Sequence, residues 1–262
     1  MKLRITMLLA VLALGLAAAG PVSARGGDGD RPYAGSGFDR SDVPARVASR
    51  VKRANRALDR AEDYADDSNA SSAASALGAV RRNLAAALKT ANRKIGAGSE
   101  KGPGAAFAVA SAQDKVIDGT VALFDGADDA LVSEIAQTLD AAITGRDDLV
   151  AAIGALSADD QQDYYEVLSR IDEDVTDEIE SIDDALADDT LSADAQAALQ
   201  SAREKLVASQ SAVQALLATQ EDGSTTSLSD DEDGDRGDCG GRHGEPGDGD
   251  TATGSSRFGA RV

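Results

Sequence analysis

The chain is poor in the residues from which most active sites are built. Its 262 residues include one cysteine, one histidine, no tryptophan and only 3% aromatic side chains. A single cysteine allows no intrachain disulfide, and a Cys/His zinc site needs about four ligands. His243 alone would have to serve any Ser-His-Asp triad, and a bundle di-iron site needs a Glu-x-x-His on each of two helices. Basic residues are scarce beside acidic ones, 26 against 46, for a net charge of −20. A field of that sign repels phosphate, so nucleic acid is not the expected partner. No stretch alternates apolar and polar residues between turn signals, so strands are not expected either.

What is present is alanine, 51 residues of it, within a hydrophobic fraction of 42%. That fraction suffices for a packed domain. Small side chains bring helices close together but bury little area each, at about 0.8 kcal/mol per buried CH₂. A core of this kind leaves little room for a large lipid or haem pocket.

The first 24 residues read as an export signal. Lys2 and Arg4 precede an uncharged apolar run from Ile5 to Ala19, followed by Gly20 and Pro21. Val22-Ser23-Ala24 places small residues at the positions that secretory cleavage requires. The run is shorter than the roughly 20 residues of a spanning helix, and no later stretch is apolar enough to span a bilayer. The expected location is therefore periplasmic or secreted. Residues 25–41, rich in Gly and Asp, read as a flexible lead-in.

From residue 42 to 220 the pattern is helical throughout. Six apolar stripes recur at spacings of three and four. They begin at Val43, Ala73, Phe107, Leu131, Leu168 and Leu199, and run to Ala61, Ile95, Phe124, Ile153, Leu186 and Leu216. Ser41 or Asp42 is the expected N-cap of the first helix, with Pro44 just behind. The third stripe is apolar on a second face as well, through Val109, Ala112, Val116 and Leu123, which suggests a central position. The fourth has a potential break at Gly145. The expected fold is all-α, a helical bundle or short array of about three helical hairpins with six helices.

The hairpins have the marks of a repeat. Ala-Asp-Asp stands at 65–67, 127–129 and 187–189. An offset of 122 residues aligns Leu77 with Leu199, Arg81 with Arg203 and Leu84 with Leu206; an insertion of about three residues brings Arg146 and Leu149 into the same register. Chance alignment of Ala-rich helices could produce the same matches. In either case one hairpin cannot bury its apolar face alone, and stacking makes the core. Leu156-Ser157-Ala158-Asp159 and Leu191-Ser192-Ala193-Asp194 each put Ser at an N-cap. These starts resemble the Leu-Thr-x-x-Gln motif of periplasmic helical stress proteins, but Gln161 and Gln196 fall one residue later and no property is carried over.

Charge is unevenly spread. Residues 45–95 hold 11 basic and 5 acidic side chains, whereas residues 104–220 hold 5 and 25. Arg50, Arg53, Arg56 and Arg60 either face the acidic fifth helix, or lie in solvent, or meet an anionic partner such as a membrane surface or wall polymer. The fifth helix carries Asp174, Asp177 and Glu178 on one face, expected to be solvated. Asp114 occupies a seam position between Ala110 and Ile117. There it would pair with a Lys or Arg of a neighbouring helix, or with Lys115 turned aside, or fix the helix register.

Residues 221–262 are dominated by Gly, Asp, Ser and Thr and read as a disordered acidic tail. Within it, the nine residues from Asp231 to Cys239 resemble the thrombospondin type-3 repeat, Asp-x-Asp-Gly-Asp followed by Gly-Asp and Cys. One residue is missing before Gly237 and another before Cys239, and there is a single copy. The resemblance implies calcium held by Asp231, Asp233, Asp235 and Asp238. The twelfth place of an EF-hand, counted from Asp231, is occupied by Arg242. Arg236-Gly237-Asp238 matches the cell-adhesion tripeptide, which this composition produces easily by chance. Cys239, in an oxidising compartment without a partner, is expected to form a disulfide-linked dimer.

The expected function is non-enzymatic, a structural or interaction role at the cell exterior with an envelope protein or polymer. The alternative is a low-affinity divalent-cation binder using the acidic fifth helix and tail. Export is the reading most directly checked: N-terminal sequencing of the secreted form is expected to begin at Arg25 or within a few residues. Extracellular protein still carrying Met1 would refute the signal assignment.

Overall fold

A computed structural model describes residues 40–225. A 3-10 turn at Arg40–Asp42 is followed by seven α-helices and, among the described residues, no strand. The helices are α1 (Ala45–Asp66), α2 (Ala70–Ile95), α3 (Gly102–Ala122), α4 (Asp129–Gly154), α5 (Ala158–Gln162), α6 (Tyr165–Leu186) and α7 (Ala193–Thr225). The expected number was six. The additional helix is the single-turn α5, too short to show an apolar period, which Ser157 caps by accepting from the Asp160 N–H. The expected N-terminal signal, most of the expected lead-in, Asp231, Asp233, Asp235, Asp238 and Cys239 lie outside the described residues. Among the described residues no helix is long and apolar enough to cross a membrane.

Local chemistry explains most of the boundaries. Asn69 accepts from the Ser72 N–H at 3.2 Å and Asp128 from the Leu131 N–H at 2.8 Å, each supplying an oxygen to a helix start. Ser192 accepts from the Ala195 N–H at 3.2 Å. The two Leu-Ser-Ala-Asp starts share a further bond. Gln161 Nε2 donates to the Leu156 carbonyl at 2.9 Å, and Gln196 Nε2 to the Leu191 carbonyl at 3.3 Å. The chain turns between α1 and α2 through Ser68, at φ 56, and after α2 through Gly98, at φ 57. The start of α1 differs from expectation: Ser41 and Asp42 belong to the 3-10 turn, and Pro44 takes the N-cap place without a side-chain bond. Helix α4 also runs unbroken through Gly145, since a mid-helix glycine costs only about 1 kcal/mol.

Successive long helices pack in pairs, α1 on α2, α3 on α4 and α6 on α7. The α3–α4 pair touches both of the others: α3 packs against α1, α2 and α6, and α4 against α2 and α7. Having neighbours on several sides explains the two apolar faces of α3, where Ala105, Ala106, Val109, Ala112, Val116 and Ile117 are all buried. The core continues through Leu58, Leu77, Ile95, Ile135, Leu149, Leu168 and Ile171.

Close approach is set by small residues. A Cβ on Gly119 of α3 would come within 2.8 Å of Leu58 Cδ2 and 2.9 Å of Glu62 Oε1 on α1. Leu58 is fully buried and has nowhere to move. Gly119→Ala is therefore expected to lower stability by about 1–2 kcal/mol. Overpacking at about 1–3 kcal/mol outweighs a propensity gain of about 1. Urea unfolding followed by circular dichroism checks this, and a variant more stable than the wild type would show that α1 and α3 can separate freely.

Candidate functional site

Among the polar groups inside this mostly apolar bundle, two features are candidates for a site. The first is an ion pair. Arg146 on α4 donates both terminal guanidinium nitrogens to the two carboxylate oxygens of Glu178 on α6, and both side chains are 0% exposed. The sequence had offered Glu178 only as part of the acidic face of the fifth helix, solvated or holding a cation, and had not marked Arg146 as a site. Each occupies a core position of its helix: Arg146 lies between Ala142 and Leu149, and Glu178 between Val175 and Ile182.

Further carboxylates crowd this pair. Asp174 is buried one turn before Glu178 and accepts from Arg170 Nε at 2.8 Å, while its Oδ2 is buried without a hydrogen-bond partner. Asp114 of α3 is half-buried within the electrostatic reach of Arg146 and Arg170. The expected solvated face of Asp174, Asp177 and Glu178 is thus divided, with Asp177 alone exposed. The neighbouring Lys115 turns away to Asp59 of α1, at 2.9 Å.

The electrostatics follow from one buried guanidinium among several carboxylates. Burial pushes the Asp174 carboxyl up to about 7, with Asp114 adding to the rise and Arg170 and Arg146 opposing it. Asp118 is pushed up to about 6, by desolvation first and Asp114 second. Asp114 rises through burial against the pull of Arg146. Burial also drives Glu178 upward, and its guanidinium partner opposes this. Arg146 remains a cation across the accessible pH range. The cluster is built to hold charge internally, and among the described residues no group of three or more His, Cys, Asp or Glu is arranged to hold a metal ion.

The second feature is a cleft of about 260 Å³ between α2 and α4, lined at one point by Gln113 of α3. Gln113 is fully buried, and neither its carbonyl oxygen nor its amide nitrogen has a hydrogen-bond partner. Its place between Val109 and Val116 on an apolar face was the only signal that the sequence offered.

The outer surface is divided by charge. Arg46, Arg50, Lys52, Arg53, Arg56 and Arg60 of α1 are all exposed. Among the described residues none of them forms an ion pair; Arg50 donates to Asn83 at 3.1 Å and Arg60 to the Arg56 carbonyl at 2.9 Å. The helices that pack on α1 are α2 and α3, not the acidic α6. No family model, curated protein or solved structure matches the chain.

The buried carboxylates predict a pH dependence of definite sign. A carboxyl raised in the folded state stabilises below its unfolded value, about 3.9 for Asp, and that contribution is lost as pH rises through the folded value. For Asp174 the loss falls between about pH 4 and 7, so the protein is expected to melt higher at pH 5 than at pH 8; Asp118, whose side chain is exposed, adds little. Asp174→Asn is expected to raise the midpoint at pH 8 by several degrees and to flatten the profile. A midpoint that falls by the same amount at both pH values would show that Asp174 is needed as an anion.

Proposed function

We propose that this is a non-enzymatic interaction protein of the cell exterior that docks an anionic polymer or surface of the envelope through α1. The observation that carries this reading is the row of exposed, unpaired cations on that helix. Arg46, Arg50, Arg53 and Arg60 recur at helical spacing and share one face. On a chain of net charge −20, cations that serve only the fold would be drawn into ion pairs with the abundant carboxylates. These instead stand exposed on α1, which packs on α2 and α3, and a local positive field survives there. The carboxylates best placed for acid-base chemistry, Glu178 and Asp174, are engaged by arginines, which favours a binding role over a catalytic one.

The cation-binding alternative keeps fewer carboxylates on α6, because Asp174 and Glu178 are engaged by arginines. It rests on those that remain and on the tail residues Asp231, Asp233, Asp235 and Asp238.

Two measurements test the proposal. The chain from Arg25 onward is expected to be retained on immobilised polyglutamate at low salt despite its net negative charge, and to be released as salt rises. Replacing Arg46, Arg50, Arg53 and Arg60 together by Gln is expected to abolish retention without changing the helical signal. Flow-through of the unaltered protein, or retention by the variant, would overturn the reading. Calcium and a sodium salt at equal ionic strength are expected to give the same thermal midpoint. A calcium-specific rise that vanishes in Asp231→Ala with Asp233→Ala would favour the alternative, since a ligand at one hundred times its dissociation constant stabilises by about 2.7 kcal/mol.

A further inference from the structure

Two local costs meet in the cleft between α2 and α4. One is Gln113, whose amide is fully buried with donor and acceptor both unpartnered. Leaving such groups unsatisfied is expensive, and native interiors rarely tolerate it without water or a ligand. The other is Gly145, a glycine in the interior of a 26-residue helix. The two are linked in space. A Cβ on Gly145 would meet Gln113 Nε2 at 2.9 Å and Leu88 Cδ2 at 3.3 Å, so the absent side chain is what makes room for the amide. In the repeat register the positions matching Gly145 are Val80 and Ala202, both with side chains and both buried. Only the middle hairpin opens this space.

The space has a defined character. Leu84 and Leu88 of α2 give it an apolar wall; of its polar lining Arg81 and Thr138 bond to each other, Asp140 pairs with Lys205, Thr144 and Asp148 stand exposed at the mouth with Ala85 and Ala141, and Gln113 alone is buried without a partner. A ligand here would bury an apolar body and meet one amide group. An amide offers an acceptor and a donor side by side, which a second amide can engage through two parallel hydrogen bonds. An anionic carboxylate supplies no donor and is repelled by the field of the chain. We propose that this cleft is a binding site for a small uncharged molecule with an apolar body and an amide-type group, recognised by the Gln113 side chain.

Benzamide is the probe, with toluene as the counterpart that lacks the amide. Ligand-observed NMR titration of the chain from Arg25 onward is expected to show millimolar binding of benzamide and at least about tenfold weaker binding of toluene, a ratio worth about 1.4 kcal/mol. Gln113→Leu is expected to lose benzamide binding by about the same factor while melting at a higher temperature, since the unsatisfied amide is gone. Ala141→Phe, at an exposed position on the mouth, is expected to block binding without disturbing the core, and it decides the matter if Gln113→Leu does not fold. Absence of benzamide binding at its solubility limit would mean that water alone occupies the cleft and would overturn the proposal. So would equal binding of toluene, or benzamide binding unchanged in Ala141→Phe or in a folded Gln113→Leu.

Discussion

The Arg146–Glu178 pair is the constraint around which the C-terminal half of the bundle is arranged. Helices α3, α4, α7 and α6 pack in a closed circuit, each against the next, and the pair bridges from α4 to α6 across it. The pair sits among fully buried apolar side chains of α3, α4 and α6, Ile117, Ile143, Leu149, Ile171 and Ile182 among them, and the apolar stem of the arginine belongs to that core. Removing two charges from water costs several kcal/mol per ion, so a buried pair is weak evidence of net stability. Its effect is on specificity. Any slip of α6 along α4 would leave a guanidinium and a carboxylate buried and apart, an arrangement about 3–5 kcal/mol worse. Apolar contacts between alanines distinguish registers poorly, and this pair distinguishes them strongly.

The surplus of carboxylates near one guanidinium has a different consequence. Asp114, Asp118 and Asp174 approach a site whose charge is already balanced by Glu178, so each additional ionisation there is resisted. Arg170 relieves part of that load from the rim, holding one oxygen of Asp174 while the other stays unpartnered. The interior therefore carries a reserve of electrostatic stress near neutral pH. Among the described residues none of the exposed cations of α1 forms an ion pair with these carboxylates.

The helices were legible because apolar periodicity is a dense signal: every turn of α1, α2, α6 and α7 repeats it. The cap residues Ser157 and Ser192 were legible for the same local reason, since a capping oxygen acts within three residues. What failed was anything that depends on which helix faces which. Asp174 and Glu178 look like part of a solvated acidic face when α6 is read alone, and only the approach of α4 turns them inward. Asp114 was recognisable at its seam because a lone charge breaks an apolar stripe. Arg146 was not, since an arginine beside a glycine reads as the fraying of a stripe, whereas Gly145 in fact belongs to a continuous helix. Gln113 was hidden because its significance lies in a missing partner, a property of the packed structure.

The register in which the three hairpins align gives these exceptions a shared position. Arg81, Arg146 and Arg203 stand at matching positions on the second helix of each hairpin, and each forms an ion pair with another helix. Arg81 of α2 reaches Glu134 of α4 at 2.6 Å, in the following hairpin, and Arg146 likewise reaches the hairpin after its own. Arg203 has no following hairpin among the described residues and turns back to Asp183 of α6. The same side chain thus meets three environments. Arg81 and Arg203 are partly solvated, where a pair is worth about 0–1 kcal/mol and can be exchanged at little cost. Arg146 has a hairpin on either side of its own, so its pair is fully enclosed. Position in the stack, more than the residue itself, makes the middle arginine structural, and the same enclosure buries Gln113 next to Gly145. Among the described residues buried unpartnered atoms also occur at Asn55, Asn92, Ser209 and Gln220, but it is the middle hairpin, with a neighbour on either side, that encloses a whole guanidinium and a whole unpartnered amide.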